Sequence, residues 1–478
     1  MDKTSGWRGV RALHVFRHWL SFGGAAMAAV SAALFAVLYG VEVMGHASGP
    51  YTGIIAFVIL PTVFVLGLLI IPIGLWRDRA QRRKAAAGGA PLPEFPVLDF
   101  NLPAVRTAAL LVLGTTVVAA ILLSVGTYKG VETMHSTQFC ASSCHTLMTP
   151  EYVANQRSPH AAVACSECHV GPGASHFVTS KLTDARQLMH FMLNSYPRPV
   201  PAPHDLRAAP QTCGQCHSPT RAIGDKLKMR TTFADDEANT AKHTVMMMKV
   251  GGPDAEGRWH GAHFHASGGV QIRYLADAAR DTIHAVQVDA PGAPTRLFKG
   301  PGADAALAVA KEEDWRTMDC MDCHNRKGHR FDLPAAALDE ALAAGKADRA
   351  LPFVKREGVQ ALQATYASHE EAAARLPEVL AAFYRQKYPE VAKDKAKEIA
   401  AAGRALADLY NGNVFPDMKV GWGTYADRGS HERGCFRCHD NEHVTAAGEK
   451  ISKRCGGCHT VIADQEKEPE VMDVLYPD

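Results

Sequence analysis

The chain has no cysteine to spare. All twelve of its cysteines fall inside six short clusters, so no disulfide framework stands apart from them. Nor is one sign of charge in excess: 51 Lys and Arg face 49 Asp and Glu, a formal net charge of +2. Nothing therefore marks a nucleic-acid surface. Three long stretches, Trp19–Val41, Tyr51–Trp76 and Thr107–Tyr128, carry no charge at all. The first is too long for a signal peptide and no small-residue cleavage site stands out after it, which weighs against cleavage. None of the six clusters ends in lysine, and no low-complexity segment appears beyond Ala-rich helical stretches.

Five clusters read C-x-x-C-H: Cys165, Cys168 and His169; Cys213, Cys216 and His217; Cys320, Cys323 and His324; Cys435, Cys438 and His439; Cys455, Cys458 and His459. The first, Cys140, Cys144 and His145, has one extra residue between its cysteines. With 12 Cys and 23 His in 478 residues, chance supplies roughly 0.01 copies of this pattern. C-x-x-C-H is the attachment signature of haem c. The two thiols add across the vinyl groups, and the histidine falls under the iron as an axial ligand. Zinc needs four ligands and no histidine directly after the second cysteine. A thioredoxin-like thiol pair occurs once beside a βαβ pattern, and none is evident. The reading is six covalent haems. About twelve propionates would come with them, so the apoprotein charge says little about the surface.

The uncharged stretches, at about 19–41, 51–76 and 107–128, are each long enough to span a bilayer. Pro61 and Pro72 interrupt the second, which a membrane helix tolerates. Basic residues precede the first stretch (Lys3, Arg8, Arg11, Arg17) and fill Arg77–Lys84, whereas residues 45–50 have none. The positive-inside rule then puts the N-terminus in the cytoplasm of a bacterial inner membrane and every haem motif in the periplasm. The second and third stretches contain no histidine, and His18 and His46 lie at edges, so paired ligands for a haem within the membrane are absent. The expected fold is mainly α: a membrane region over 1–128 with three transmembrane helices, then a periplasmic multihaem cytochrome c domain with little regular sheet. That domain divides into a four-haem part over 129–333, with an insertion at about 220–315, and a helical segment with a two-haem module over 334–478. Helices are expected at Ala174–Asn194, Ala335–Gly345, Gly358–Leu376 and Pro377–Tyr410, a stiff linker at Pro197–Pro210, and a hairpin within Arg273–Lys299.

Low-spin haems need a second axial ligand. His160 lies between the first two motifs. His329 follows His324 by five residues, and His263 and His265 belong to the crowded stretch W-H-G-A-H-F-H. His431 and His443 flank the fifth motif. Met148, three residues after His145, competes with His135 for the first iron.

At these residues the chain resembles the NapC/NirT family of membrane-anchored multihaem quinol dehydrogenases, over roughly Thr107 to Leu333. The family's last motif, C-x-x-C-H-x-x-x-A-H, is matched by Cys320–His329 with Gly328 in place of Ala. The resemblance implies that His329 ligates the second haem, His160 the fourth, and His263 or His265 the third. It also implies a quinol pocket near the first haem, with a lysine matched by Lys181. The family's acid falls on Gln187, and Asp184, one helical turn from Lys181, is placed to substitute for it. The extra spans, the long insertion, the two added haems and the longer first motif are departures from the family pattern. The implied function is oxidation of menaquinol or ubiquinol from the membrane pool, with electrons passed to a periplasmic cytochrome or reductase. The alternatives are a relay subunit anchored beside another membrane subunit and a terminal reductase. The absence of C-x-x-C-K and the supply of distal ligands weigh against the reductase.

Overall fold

The structure, a computed structural model, describes residues 18–43, 59–88 and 132–475, save 144, 171–173, 202–207, 218–223, 254–258, 267–268 and 426, with isolated positions between 89 and 131. The chain forms two compact units, Met1–Phe139 with Cys165–Arg186, and Cys140–Ala164 with Gln187–Asp478. The basic N-terminal residues, the loop at 45–50 and nearly all of the expected third span lie outside the described residues.

In the first unit, α1 (Trp19–Val43) and α2 (Leu60–Gly88) pack antiparallel. Small residues set their closeness. A Cβ built on Gly24 would lie 2.6 Å from the Gly67 carbonyl oxygen, and one on Gly67 2.7 Å from that of Gly24, so any larger residue would force the backbones apart. Ser21 Oγ donates across the pair to the Ile71 carbonyl at 3.1 Å. Large apolar side chains face outward, Trp19 at 63% and Trp76 at 69% exposure among them.

Helices α3 (Thr137–Ser143), α4 (His145–Gln156), α5 (Cys165–His169) and α6 (Ala174–Met192) follow, the last close to its expected span. Then comes sheet. Strands β1 (Gly224–Phe233), β2 (Ala241–Pro253) and β3 (Trp259–His260) form one antiparallel sheet. Strands β4 (Gln271–Ala276), β5 (Ile283–Asp289), β6 (Arg296–Lys299) and β7 (Arg316–Thr317) form a second, in the order β6-β5-β4-β7. Strand β8 (His459–Glu466) returns from the C-terminus to pair with β2, with His459 opposite Met248.

The expectation of a mainly α fold with three transmembrane helices and little sheet is thus corrected on two counts. First, there are two four-stranded sheets, built mostly from strands of the insertion and completed by β7 and β8. The expected hairpin in Arg273–Lys299 is a three-stranded meander, because β6 beyond Pro291 pairs back onto β5. The Met- and Lys-rich run of β2 is held as a strand by partners on both sides, β8 among them from over two hundred residues away. Local composition does not carry such a preference. Second, among the described residues no helix is long and apolar enough to cross a membrane. The apolar run of α2 ends at Trp76, beyond which the same helix continues through R-D-R-A-Q-R-R-K. Ala, Gly and Ser, which contribute little apolar area, make up much of α1.

A helical body follows a short α7 (Ala303–Val309): α8 (Pro334–Ala343), α9 (Val354–Gln363), α10 (His369–Lys387), α11 (Pro389–Asp394) and α12 (Ala396–Asn413). The two long helices expected here are broken by caps. Ser368 accepts the Glu371 amide at 3.2 Å and Glu371 accepts the Ala367 amide at 2.6 Å, a reciprocal cap that starts α10. Pro389 starts α11, where its missing N–H has no helical partner to lose. Leu338, Leu351, Leu362, Leu376 and Leu406 are completely buried in this body. Each contributes about 1.5–3 kcal/mol of transfer free energy.

Candidate functional site

Four of the motifs share one local geometry. Cys213, Cys320, Cys435 and Cys455 each open a 3-10 turn. The histidine amide closes three of them onto the first cysteine's carbonyl: His217 to Cys213 at 2.8 Å, His324 to Cys320 at 2.8 Å and His439 to Cys435 at 2.9 Å. One tight turn therefore puts both thiols and the imidazole on one side. The second motif is the short helix α5. In the first, α3 ends just before Cys144 and α4 starts at His145; Cys144 and the side chain of His145 lie outside the described residues. Among the described residues no two cysteines form a disulfide. Among the described residues no cluster of three or more His, Cys, Asp or Glu is placed to hold a bare metal ion.

Four motifs stand beside one another in chain order. Burial, then the Cys213 thiol, pushes Cys320 up. Burial, then Cys435, pushes Cys323 up to about 11, and burial, then Cys435, raises Cys458. Motifs three to six thus form a continuous run of neighbours. Side chains without any motif signature hold them. Tyr274 on β4 donates to Asp322 Oδ1 at 2.5 Å, Arg316 Nε reaches the same oxygen at 3.3 Å, and Asp319 accepts the Met321 amide at 2.8 Å. Burial and then Asp322 push the Tyr274 phenol well up, so it stays a donor. Arg437, inside the fifth motif, donates to the Asp322 carbonyl at 3.4 Å. The only sequence signal was the acidic pair bracketing Cys320, which reads as a helix cap.

Three proximal histidines each face a second imidazole. His160 and His217 have ring centroids 5.9 Å apart, His265 and His439 5.9 Å, and His431 and His459 6.0 Å. A metal bound to one nitrogen of each ring at about 2 Å sets the centroids about 6 Å apart. Hydrogen bonds orient these rings. His160 Nδ1 donates to the Lys327 carbonyl at 3.0 Å, His265 Nδ1 to Ala262 at 2.9 Å and His439 Nδ1 to Ser452 at 2.9 Å. Each leaves Nε2 for a metal. Burial, and then His439, holds His265 below the usual histidine range despite the Ala262 carbonyl, which keeps it a neutral ligand. Burial, then Lys327 and His263, lowers His324. The Nδ1 atoms of His263 and His459 are buried without a hydrogen-bond partner. Thiol pairs and imidazoles that face each other across an iron-sized gap together fit covalent haem.

The remaining candidates are placed differently. His329 donates from Nδ1 to the Glu151 carbonyl at 2.9 Å, against α4. Met148 is half-buried on α4, and His135 and His169 lie in the first unit. His443 is completely buried, with Nδ1 on Asp440 at 2.9 Å and Nε2 on the Ile283 carbonyl at 3.1 Å. Both its ring nitrogens are engaged by protein, so the structure brings His431, and not His443, to a motif histidine. The pairing of His160 with His217 sets it at the third motif, where the family likeness implied the fourth. Lys181 and Asp184 lie on α6, but their side chains are outside the described residues; Gln187 is exposed.

Residues 103–199 match the NapC/NirT cytochrome c family, N-terminal region. The chain is 37% identical over 467 residues to the cytochrome c-type protein ImcH of Geobacter sulfurreducens, an alignment covering 96% of this chain and 91% of that protein. No solved structure matches.

Proposed function

This chain belongs to the NapC/NirT cytochrome c family, and we propose on that premise that it is a membrane-associated, six-haem electron carrier of anaerobic respiration. In this reading it oxidises menaquinol or ubiquinol at the inner membrane and delivers electrons to a periplasmic cytochrome or reductase. Haem c, covalently held as in any cytochrome c, supplies one-electron redox chemistry. The observation that carries the reading is the set of imidazoles that face the third, fifth and sixth motif histidines. His217, His439 and His459 each meet a second histidine at 5.9–6.0 Å. These pairs would hold three of the six irons from both sides and leave no open position for a substrate there, which favours electron transfer over a terminal reductase. The run of neighbouring motifs from Cys213 to Cys458 suits the same task.

At the quinol end, Lys181 is assigned to donate a hydrogen bond to a quinol oxygen and to stabilise negative charge as a proton leaves. Asp184, one turn on, is assigned to take that proton, with Gln187 a further turn along α6. Quinol oxidation releases two electrons and two protons, so the protein must offer both an electron and a proton acceptor. The outward apolar side chains of α1 and α2 suit a membrane surface or a partner helix. The latter keeps a relay subunit of a larger respiratory complex as the second reading. Lys181→Leu should lose quinol-driven reduction, followed by absorbance with a water-soluble quinol analogue, by tenfold or more. Dithionite should still reduce every haem. Unchanged quinol oxidation in that variant leaves Lys181 as an interfacial lysine with a buried stem.

A further inference from the structure

The 3-10 turn Ala262–Ala266 carries His263 and His265, two residues apart. A 3-10 helix has three residues per turn, so side chains at i and i+2 diverge by about 120°. The two imidazoles cannot approach one iron from the same face. His265 faces His439 of the fifth motif at 5.9 Å, with its ring set by the Ala262 carbonyl. His263, turned away from that ring, buries Nδ1 without a hydrogen-bond partner. The fourth motif adjoins the fifth: Arg437 of the fifth donates to the Asp322 carbonyl of the fourth at 3.4 Å. The third motif is already faced by His160.

The turn is fixed in place. Phe264, between the two histidines, packs with Met318 and Cys438 onto the core of the second sheet, which includes Ile272 of β4, Val286 of β5 and Phe298 of β6. At the other end, Gly261 and Gly251 both have positive φ, and a Cβ on Gly261 would lie 2.6 Å from Gly251 Cα. Only glycines allow that approach of the turn to β2.

We infer that this one turn supplies the distal ligand of two different irons, His263 to that of Cys320, Cys323 and His324, and His265 to that of Cys435, Cys438 and His439. The insertion is then a clamp that fixes two consecutive haem sites with a single rigid element. This rests on the six-haem reading above.

The test uses the full-length holoprotein. Mass spectrometry first counts haems; fewer than six in the unsubstituted protein undermines the six-haem reading itself, whatever the ligands. Electron paramagnetic resonance of the oxidised protein then counts high-spin irons. His263→Ala and His265→Ala should each convert one haem from low to high spin, and the double variant two. Added imidazole should restore the low-spin signal. Where an alanine variant loses haem, the corresponding methionine variant should stay low-spin while raising the midpoint potential of one haem. A single substitution that changes no haem by either measure overturns the inference, as does a double variant that changes only one.

Discussion

Single residues decide the stability of the helical body. Lys355 Nζ sits 2.5 Å from Asp339 Oδ1, with the two side chains 5% and 8% exposed, and the same oxygen accepts the Phe233 amide at 3.0 Å. Lys355→Met keeps the stem's volume but strands a buried carboxylate. It should cost about 3–5 kcal/mol, read as a lowered denaturation midpoint followed by circular dichroism. A second pair responds to pH. The Arg330 hydrogen bond holds the Glu340 carboxyl below the usual carboxylate range, against burial. An unfolded glutamate titrates near pH ~4.3. The pair's contribution is therefore complete above that pH and is lost as pH falls through the lower folded value. Glu340 is 57% exposed, so solvent screens the pair and the effect is small. Melting midpoints below pH ~4.3 should fall more steeply in the parent protein than in Arg330→Gln; parallel curves would deny the pair any role. The six attachment motifs were legible at this scale because a covalent bond depends on residue identity and spacing alone. The Tyr274–Asp322–Arg316 brace was not, because its members belong to three segments joined only by β4 and β7.

At the scale of elements, helix caps and close approaches decide where helices stop and how they pack. Pro377 lies inside α10 without ending it, and Gly403 of α12 faces it: a Cβ there would lie 2.6 Å from Pro377 Cα. Gly403→Ala gains about 1 kcal/mol of helix propensity but forces backbone against backbone, an overpacking cost of about 1–3 kcal/mol. Net destabilisation is expected, with a lowered thermal midpoint; a raised midpoint would mean that α10 and α12 slide apart freely. Helical positions were largely readable from Ala, Leu and Glu spacing, whereas their ends depended on Ser368, Glu371 and Pro389. The strands were poorly readable. In K-H-T-V-M-M-M-K the side chains favour no one structure, and pairing with β1 and β8 makes the choice.

For the whole molecule, the fifth and sixth motifs belong to the same compact unit as the insertion. Strand β8 starts at the sixth motif's own histidine, and Lys249 of β2 donates to the Cys458 carbonyl at 2.8 Å. The C-terminal pair therefore depends on the insertion for its place. With facing imidazoles at the third, fifth and sixth motifs, the reduced protein should bind carbon monoxide at few of its haems, and mass spectrometry should find six haem additions. Carbon monoxide shifting the spectrum of most haems would contradict closed coordination and revive the reductase reading; five additions would single out Cys140, Cys144 and His145. The sequence by itself determined the chemistry: thioether attachment needs two cysteines and a histidine within one turn, and nothing distant can supply or remove them. It also marked the apolar N-terminal stretches and the family. Only the tertiary structure decided which distant histidine meets which motif, that His443 is spent on Asp440 and Ile283 while His431 faces His459, and that the insertion is sheet. Those outcomes depend on contacts between segments far apart in the chain, and such contacts leave no periodic or compositional trace in either segment alone.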